Sequence, residues 1–149
     1  MMIVTIEPAR TEDAAGVVEL LVAQLAEHQI ATPREGVERA VAGVFEDPRR
    51  GLILVARGGG ELVGVAYVSF IWALEHGGLS AWLEELYVRP GARGQLTGTS
   101  LVQAAVTAAK KAGCAAVDLE VESSHGRAER LYERLKFRRH ARGRWVRKL

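Results

Sequence analysis

The sequence predicts an α/β fold: one mixed sheet with helices on its faces, in the order βααβββαβαβ. Three observations carry that reading. A continuous apolar run over Gly51–Ala56 and a second stretch over Leu62–Phe70 flank Gly58-Gly59-Gly60, the pattern of a buried hairpin. A strand pattern over Trp82–Val88 then enters a Gly-rich loop and a helical repeat over residues 98–112. Finally, Ala116–Val121 has strand character after that helix, so hairpins are followed by a strand-helix-strand unit.

The remaining elements follow in order. Residues 3–7 alternate as a short strand. Thr11 is placed as a helix N-cap, with Glu12 and Asp13 in a first turn whose dipole favours carboxylates. Ala14, Val17, Val18, Leu21 and Leu25 recur at helical spacing. Pro33 opens a second helix carrying Val37, Val41, Val44 and Phe45, which Asp47-Pro48 ends. Leu101, Val102, Ala105, Val106, Ala109 and Ala112 form the apolar face of the third, and Gly113 suits its C-terminal turn. Asp118 and Glu120 share one side of the next strand. Ala128, Leu131, Tyr132 and Leu135 mark a last core-facing helix, and Trp145 and Val146 a last strand. No repeat or linker divides residues 1–149, which read as a single domain.

Composition narrows the function. Net charge is +2, which argues against bulk nucleic-acid binding. The C-terminal end is nonetheless basic, from Arg134 to Lys148, and reads as a charged edge strand, an anion site for CoA phosphates, a nucleic-acid surface or a dimer contact. The lone Cys114 suits a reducing compartment and reads as a packing residue. No stretch has the apolar length of a membrane span, and Met1–Glu7 carries no basic leader; the expected location is cytoplasmic. The histidines show no metal-ligand spacing, so no metal is expected.

The segment richest in chemistry runs from Leu83 to Leu101. Its loop, Arg93-Gly94-Gln95-Leu96-Thr97-Gly98, exposes backbone N–H groups at a helix N-terminus, a ready phosphate site. No Gly-Lys-Ser/Thr follows, which excludes a P-loop, and the glycines at 91, 94 and 98 are misspaced for a dinucleotide fingerprint.

This loop resembles the Q/R-x-x-G-x-G/A motif of the GNAT family of N-acetyltransferases. Ala128-Glu129-Arg130-Leu131-Tyr132-Glu133-Arg134-Leu135-Lys136-Phe137 is similar to that family's second signature, N-x-x-A-x-x-L-Y-x-x-x-G-F. Three positions depart from the pattern. Leu96 and Lys136 stand where glycine is usual, and His125 where asparagine is.

The resemblance implies acetyl transfer from acetyl-CoA to a primary amine by direct attack in a ternary complex. Loop residues Arg93, Gly94, Gln95, Leu96, Thr97, Gly98 and Thr99 would hold the pyrophosphate. Leu86, Tyr87 and Val88 would meet the thioester arm, with the N–H of Leu86 or Val88 as oxyanion donor, and Arg127 would contact the 3′-phosphate. A lysine-like amine is protonated at neutral pH and needs a base. Glu84 is the candidate base, or holds a cationic substrate, with Glu85 as alternate. Alternation puts Glu84 on one face with Leu86 and Val88, and Leu83, Glu85 and Tyr87 on the other. Tyr132 is the candidate acid for the CoA sulfur.

The acceptor site is expected from residues 27–35 and 71–80. Trp72, Glu75, Glu85 and Glu120 are its candidate contacts, which favours a small cationic, polyamine-like amine. Two other readings stay open: a non-catalytic CoA-binding protein, motivated by Leu96, and an acetyltransferase for a protein or peptide amine. A homodimer is expected; nucleic-acid and membrane partners are not.

Overall fold

The computed structural model describes residues 2–122 and 126–149. Its elements are β1 (Val4–Pro8), α1 (Ala14–Glu27), α2 (Arg34–Glu46), β2 (Gly51–Gly58), β3 (Glu61–Ala73), β4 (Gly78–Val88), α3 (Thr97–Lys111), β5 (Val117–Leu119) and α4 (Gly126–Arg134). The sheet has five strands in the order β1-β2-β3-β4-β5. The first four are antiparallel neighbours, and β5 joins β4 in parallel, so the predicted mixed sheet forms.

Both faces of the sheet are covered. On one, Leu54, Ala66, Val68 and Leu83 pack with Leu101, Val102 and Ala105 of α3, and Tyr132 of α4 lies against this cluster. On the other, Ile53, Val55, Val65 and Tyr87 pack with Val17 and Leu20 of α1 and Val37 and Val41 of α2. Gly64 of β3 keeps α3 close: a Cβ there would stand 3.0 Å from Leu101 and 3.1 Å from the Tyr87 carbonyl.

Three sequence expectations change. Thr11 does not cap α1. It begins a 3₁₀ turn over Thr11–Asp13, and the buried Asp13 carboxylate instead accepts from the Arg10 amide at 2.9 Å and from Arg57 at 3.0 Å. The Arg10 amide, together with Arg57, holds this carboxyl below its usual range despite burial.

The second change is in β4. Tyr67 pairs with Glu85 and Val68 pairs with Leu83, so Glu84 is the extra residue of a β-bulge. Strict alternation would separate Leu83 from Leu86 and Val88. The bulge instead puts all three against the α3 cluster, with Tyr87 on the α1/α2 face.

Third, the last strand of the expected order is not formed. Residues 138–149 contain no strand or helix, and Trp145 is 94% exposed. Its arginines find carboxylates instead: Arg142 pairs with Glu75 at 3.0 Å and Arg144 with Glu120 at 3.2 Å. Positive charge is repeated along the segment, and its apolar residues bury nothing, so no sheet edge gains from pairing with it.

Candidate active site

The sheet opens where β4 bulges. β5 pairs with β4 only over Ala81–Leu83, and among the described residues no strand lies beside β4 from Glu84 to Val88 on that side. The backbone there faces side chains. The Leu86 carbonyl accepts from Gln24 Nε2 at 3.2 Å, and the Val88 carbonyl accepts from Arg93 Nε at 2.8 Å. In a strand the N–H and C=O of one residue point to the same edge. The Leu86 and Val88 amides therefore face this opening, where the sequence expected an oxyanion donor.

A cavity of about 280 Å³ reaches the bulge from the α1/α2 face. α1 supplies Val17, Leu21, Gln24 and Leu25, and α2 supplies Val37, Ala40, Val41 and Val44. The floor is Ile53, Val65 and Tyr67, and both Glu84 and Glu85 line one end. The two carboxylates differ. Glu84 is exposed, whereas Glu85 is half-buried. Burial, and then the charge of Glu84, pushes the Glu85 carboxyl above its ordinary range. Burial likewise raises the Tyr67 hydroxyl.

Tyr132 lies on the opposite face. It is half-buried, with its ring edge-on to Phe137 at 5.8 Å. Burial raises its phenol, which therefore keeps its proton through neutral pH.

The Gly-rich loop precedes α3. Gly94 has φ +81°, and Leu96 is left-handed at φ 61°, ψ 15°, with 72% of its surface exposed. Gly94, Gln95 and Leu96 are exposed and lead into the first turn of α3, whose first amides have no partner within the helix. These groups fit a pyrophosphate, and the exposed Leu96 side chain does not fill the space above them. Thr97 is buried, its hydroxyl pointing back to the Ala92 carbonyl at 3.4 Å, while Gly98 and Thr99 are half-buried. Arg93 does not point freely outward. Glu27 grips its guanidinium with both oxygens at 3.0 Å, and its charge lies 5.5 Å above the Tyr87 ring. Arg127 is exposed in the first turn of α4, and His125 lies outside the described residues.

The structure thus gathers Glu84, Glu85, Leu86, Tyr87, Val88 and the 93–99 loop around β4. It leaves the other acceptor candidates elsewhere. Trp72 is 75% exposed, and neither it, Glu75 nor Glu120 lines the cavity. Of the segments expected to build the acceptor site, only Thr32 contributes to the cavity wall, and nothing from 71–80 does. Gln24 and Tyr67 were not foreseen. The signal for Gln24 was a lone polar residue on the apolar stripe of Val17 and Leu21.

The sequence matches the Acetyltransferase (GNAT) family over residues 17–137. The chain belongs to that family. Among solved structures it is similar to a transcriptional regulator from Bacillus halodurans C-125, with 28% identity and a TM-score of 0.84, covering 98% of this chain and 100% of that one. It is also similar to an integron cassette protein from the mobile metagenome of Cole Harbour Salt Marsh, with 25% identity and a TM-score of 0.86, covering 97% and 90%. The fold alone is shared with the aminoglycoside N-acetyltransferase AAC(6')-Iy in complex with CoA, at 15% identity and a TM-score of 0.84, over 99% of this chain and 96% of that. No curated protein matched the sequence. No helix among the described residues is long and apolar enough to cross a membrane.

Proposed function

We propose that the protein transfers an acetyl group from acetyl-CoA to a primary amine by direct attack. The observation that carries this is the pairing of a half-buried carboxyl, Glu85, with the free edge of β4 beside the bulge.

The amine enters through the α1/α2 cavity as an ammonium ion. Glu85 takes one proton, a role that its raised affinity for protons suits better than an exposed carboxylate. Glu84, exposed at the bulge, supplies negative charge that attracts the ammonium. The freed nitrogen attacks the thioester carbonyl, and the Leu86 and Val88 amides receive the developing oxyanion. As the C–N bond forms and the C–S bond breaks, the Tyr132 phenol protonates the leaving thiolate, and the second proton of the nitrogen passes through water to the tyrosinate that remains, so that the proton on Glu85 is the one released to solvent. The base thus moves from Glu84, the first candidate, to its neighbour. The loop from Gly94 to Thr99 holds the pyrophosphate through its amides.

Leu96 favours one second reading, a CoA-binding protein without turnover, because a left-handed leucine is costly where glycine is usual. Calorimetric titration with acetyl-CoA, followed by thiol release in the presence of primary amines, separates the two. Micromolar binding at one site per chain with amine-dependent thiol release supports transfer. Binding without release supports the second reading. No binding at about 1 mM acetyl-CoA, weaker than about 4 kcal/mol, would overturn both.

A further inference from the structure

We infer that the acceptor is a monoamine carrying one compact apolar group, such as a short branched alkyl chain or a single aromatic ring. This rests on the acetyl-transfer reading above and deepens it. The polyamine-like acceptor expected from the sequence needs a second anionic contact away from the reacting nitrogen. The carboxylates that could supply it, Glu75 and Glu120, are paired with Arg142 and Arg144 and do not line the cavity.

The cavity itself is polarised. Beyond Glu84 and Glu85 its walls are chiefly Leu21, Leu25, Val37, Val41 and Val44. Gln24, Thr32 and Tyr67 are its other polar residues, so a second ammonium lodged there would lose its water and meet only neutral groups, no further carboxylate. A hydrocarbon group would be transferred from water into an apolar site. The size selects further. A dry cavity of roughly 150 Å³ is enough for benzene, so about 280 Å³ takes one ring with a short aminoalkyl arm.

The amine end is equally defined. Gln24 donates Nε2 to the Leu86 carbonyl, which fixes the orientation of its amide. Its Oε1 is buried and has no hydrogen-bond partner. A buried amide oxygen without a donor is costly. One N–H of an incoming ammonium would satisfy it. Gln24 is thus a specificity-determining residue for the acceptor.

The test pairs binding with turnover. n-Propylamine to n-hexylamine, 2-phenylethylamine, putrescine, spermidine and a peptide with an apolar N-terminal residue are titrated calorimetrically into the protein, and each is assayed for thiol release with acetyl-CoA. Expected is a rise in affinity of about fourfold per methylene until the cavity is full, with 2-phenylethylamine bound at least about tenfold tighter than putrescine. Gln24→Leu should weaken every amine, and Ala40→Phe, at the exposed mouth on α2, should weaken 2-phenylethylamine more than n-propylamine, with the Tm of each variant as the folding control.

A flat series, stronger binding of putrescine or spermidine, preference for the peptide, or no amine binding at all would overturn the inference. Selective binding of the apolar monoamine without thiol release would sustain it and overturn the transfer reading instead.

Discussion

Burial raises the proton affinity of Glu85 on one face of the sheet and of Tyr132 on the other, and the proposed reaction uses the two in opposite senses. On the α1/α2 face, burial lifts the Glu85 carboxyl and makes it a better base. On the α3/α4 face, burial lifts the Tyr132 phenol, so that it still carries its proton when, in the proposed reaction, the thiolate departs. One physical cause, loss of water around a charge, raises the proton affinity of both groups; in the proposed reaction the carboxyl takes up a proton and the phenol holds one ready. The bulge at Glu84 is where the two faces communicate, because β4 has lost its neighbour there.

The largest expected effect comes from removing the base. Glu85→Gln should lower kcat by about 10²-fold or more, with Glu84→Gln costing less than about tenfold. Steady-state thiol release compares them, and the reverse order would return the base to Glu84. Next is the acid. Tyr132→Phe keeps the ring against Phe137 and should lower kcat by about 10²-fold, while calorimetric acetyl-CoA affinity stays within about twofold. Equal kcat in the variant would remove the α3/α4 face from the chemistry.

A smaller effect concerns backbone strain. Lys136 is left-handed at φ 72° after α4, where its amide reaches the Glu133 carbonyl and that of Phe137 reaches Tyr132. Lys136→Gly should add roughly 0.5–1 kcal/mol, or about 1–4 °C in Tm, after the extra freedom of glycine in the unfolded chain is discounted. A lower Tm would show that the lysine side chain outweighs the strain.

The smallest effect is a sign. A carboxyl whose folded pKa is raised favours folding below its unfolded value, and that contribution is lost as pH rises through the folded one. Glu85→Gln should therefore match the wild type in Tm near about pH 4, with the variant relatively more stable as pH increases above that. Thermal scans across pH 4–9 check this, and a widening gap in the other direction would mean that Glu85 is paired rather than desolvated.

Most of this frame was legible. Apolar runs and helical repeats gave the helices and the strands up to β4, because burial writes a period into sequence. The bulge was written too, in a form that alternation misreads: Leu83-Glu84-Glu85-Leu86 sets two charges between two apolar residues, and only an added residue lets both leucines share a face. The ion pairs of Arg142 and Arg144 were not legible, since the sequence separates them from Glu75 and Glu120 by whole elements. The acceptor wall was hidden for a different reason. Val37, Val41 and Val44 look alike whether they fill a core or line a cavity, and only the packing distance between helix and sheet decides which.

The grip of Glu27 on Arg93 has a consequence of its own. Glu27 also accepts the Tyr87 hydroxyl at 3.0 Å, and it follows Gln24 by one turn of α1. Arg93 beside it holds this carboxyl below the usual range. A donor phosphate that recruits Arg93 would compete with Glu27 for its charge, at the end of the helix that carries Gln24 and Leu25. Whatever free energy this exchange adds to or subtracts from amine binding is added to or subtracted from donor binding in equal measure. In the proposed reaction the two substrates would then be thermodynamically linked through a single arginine.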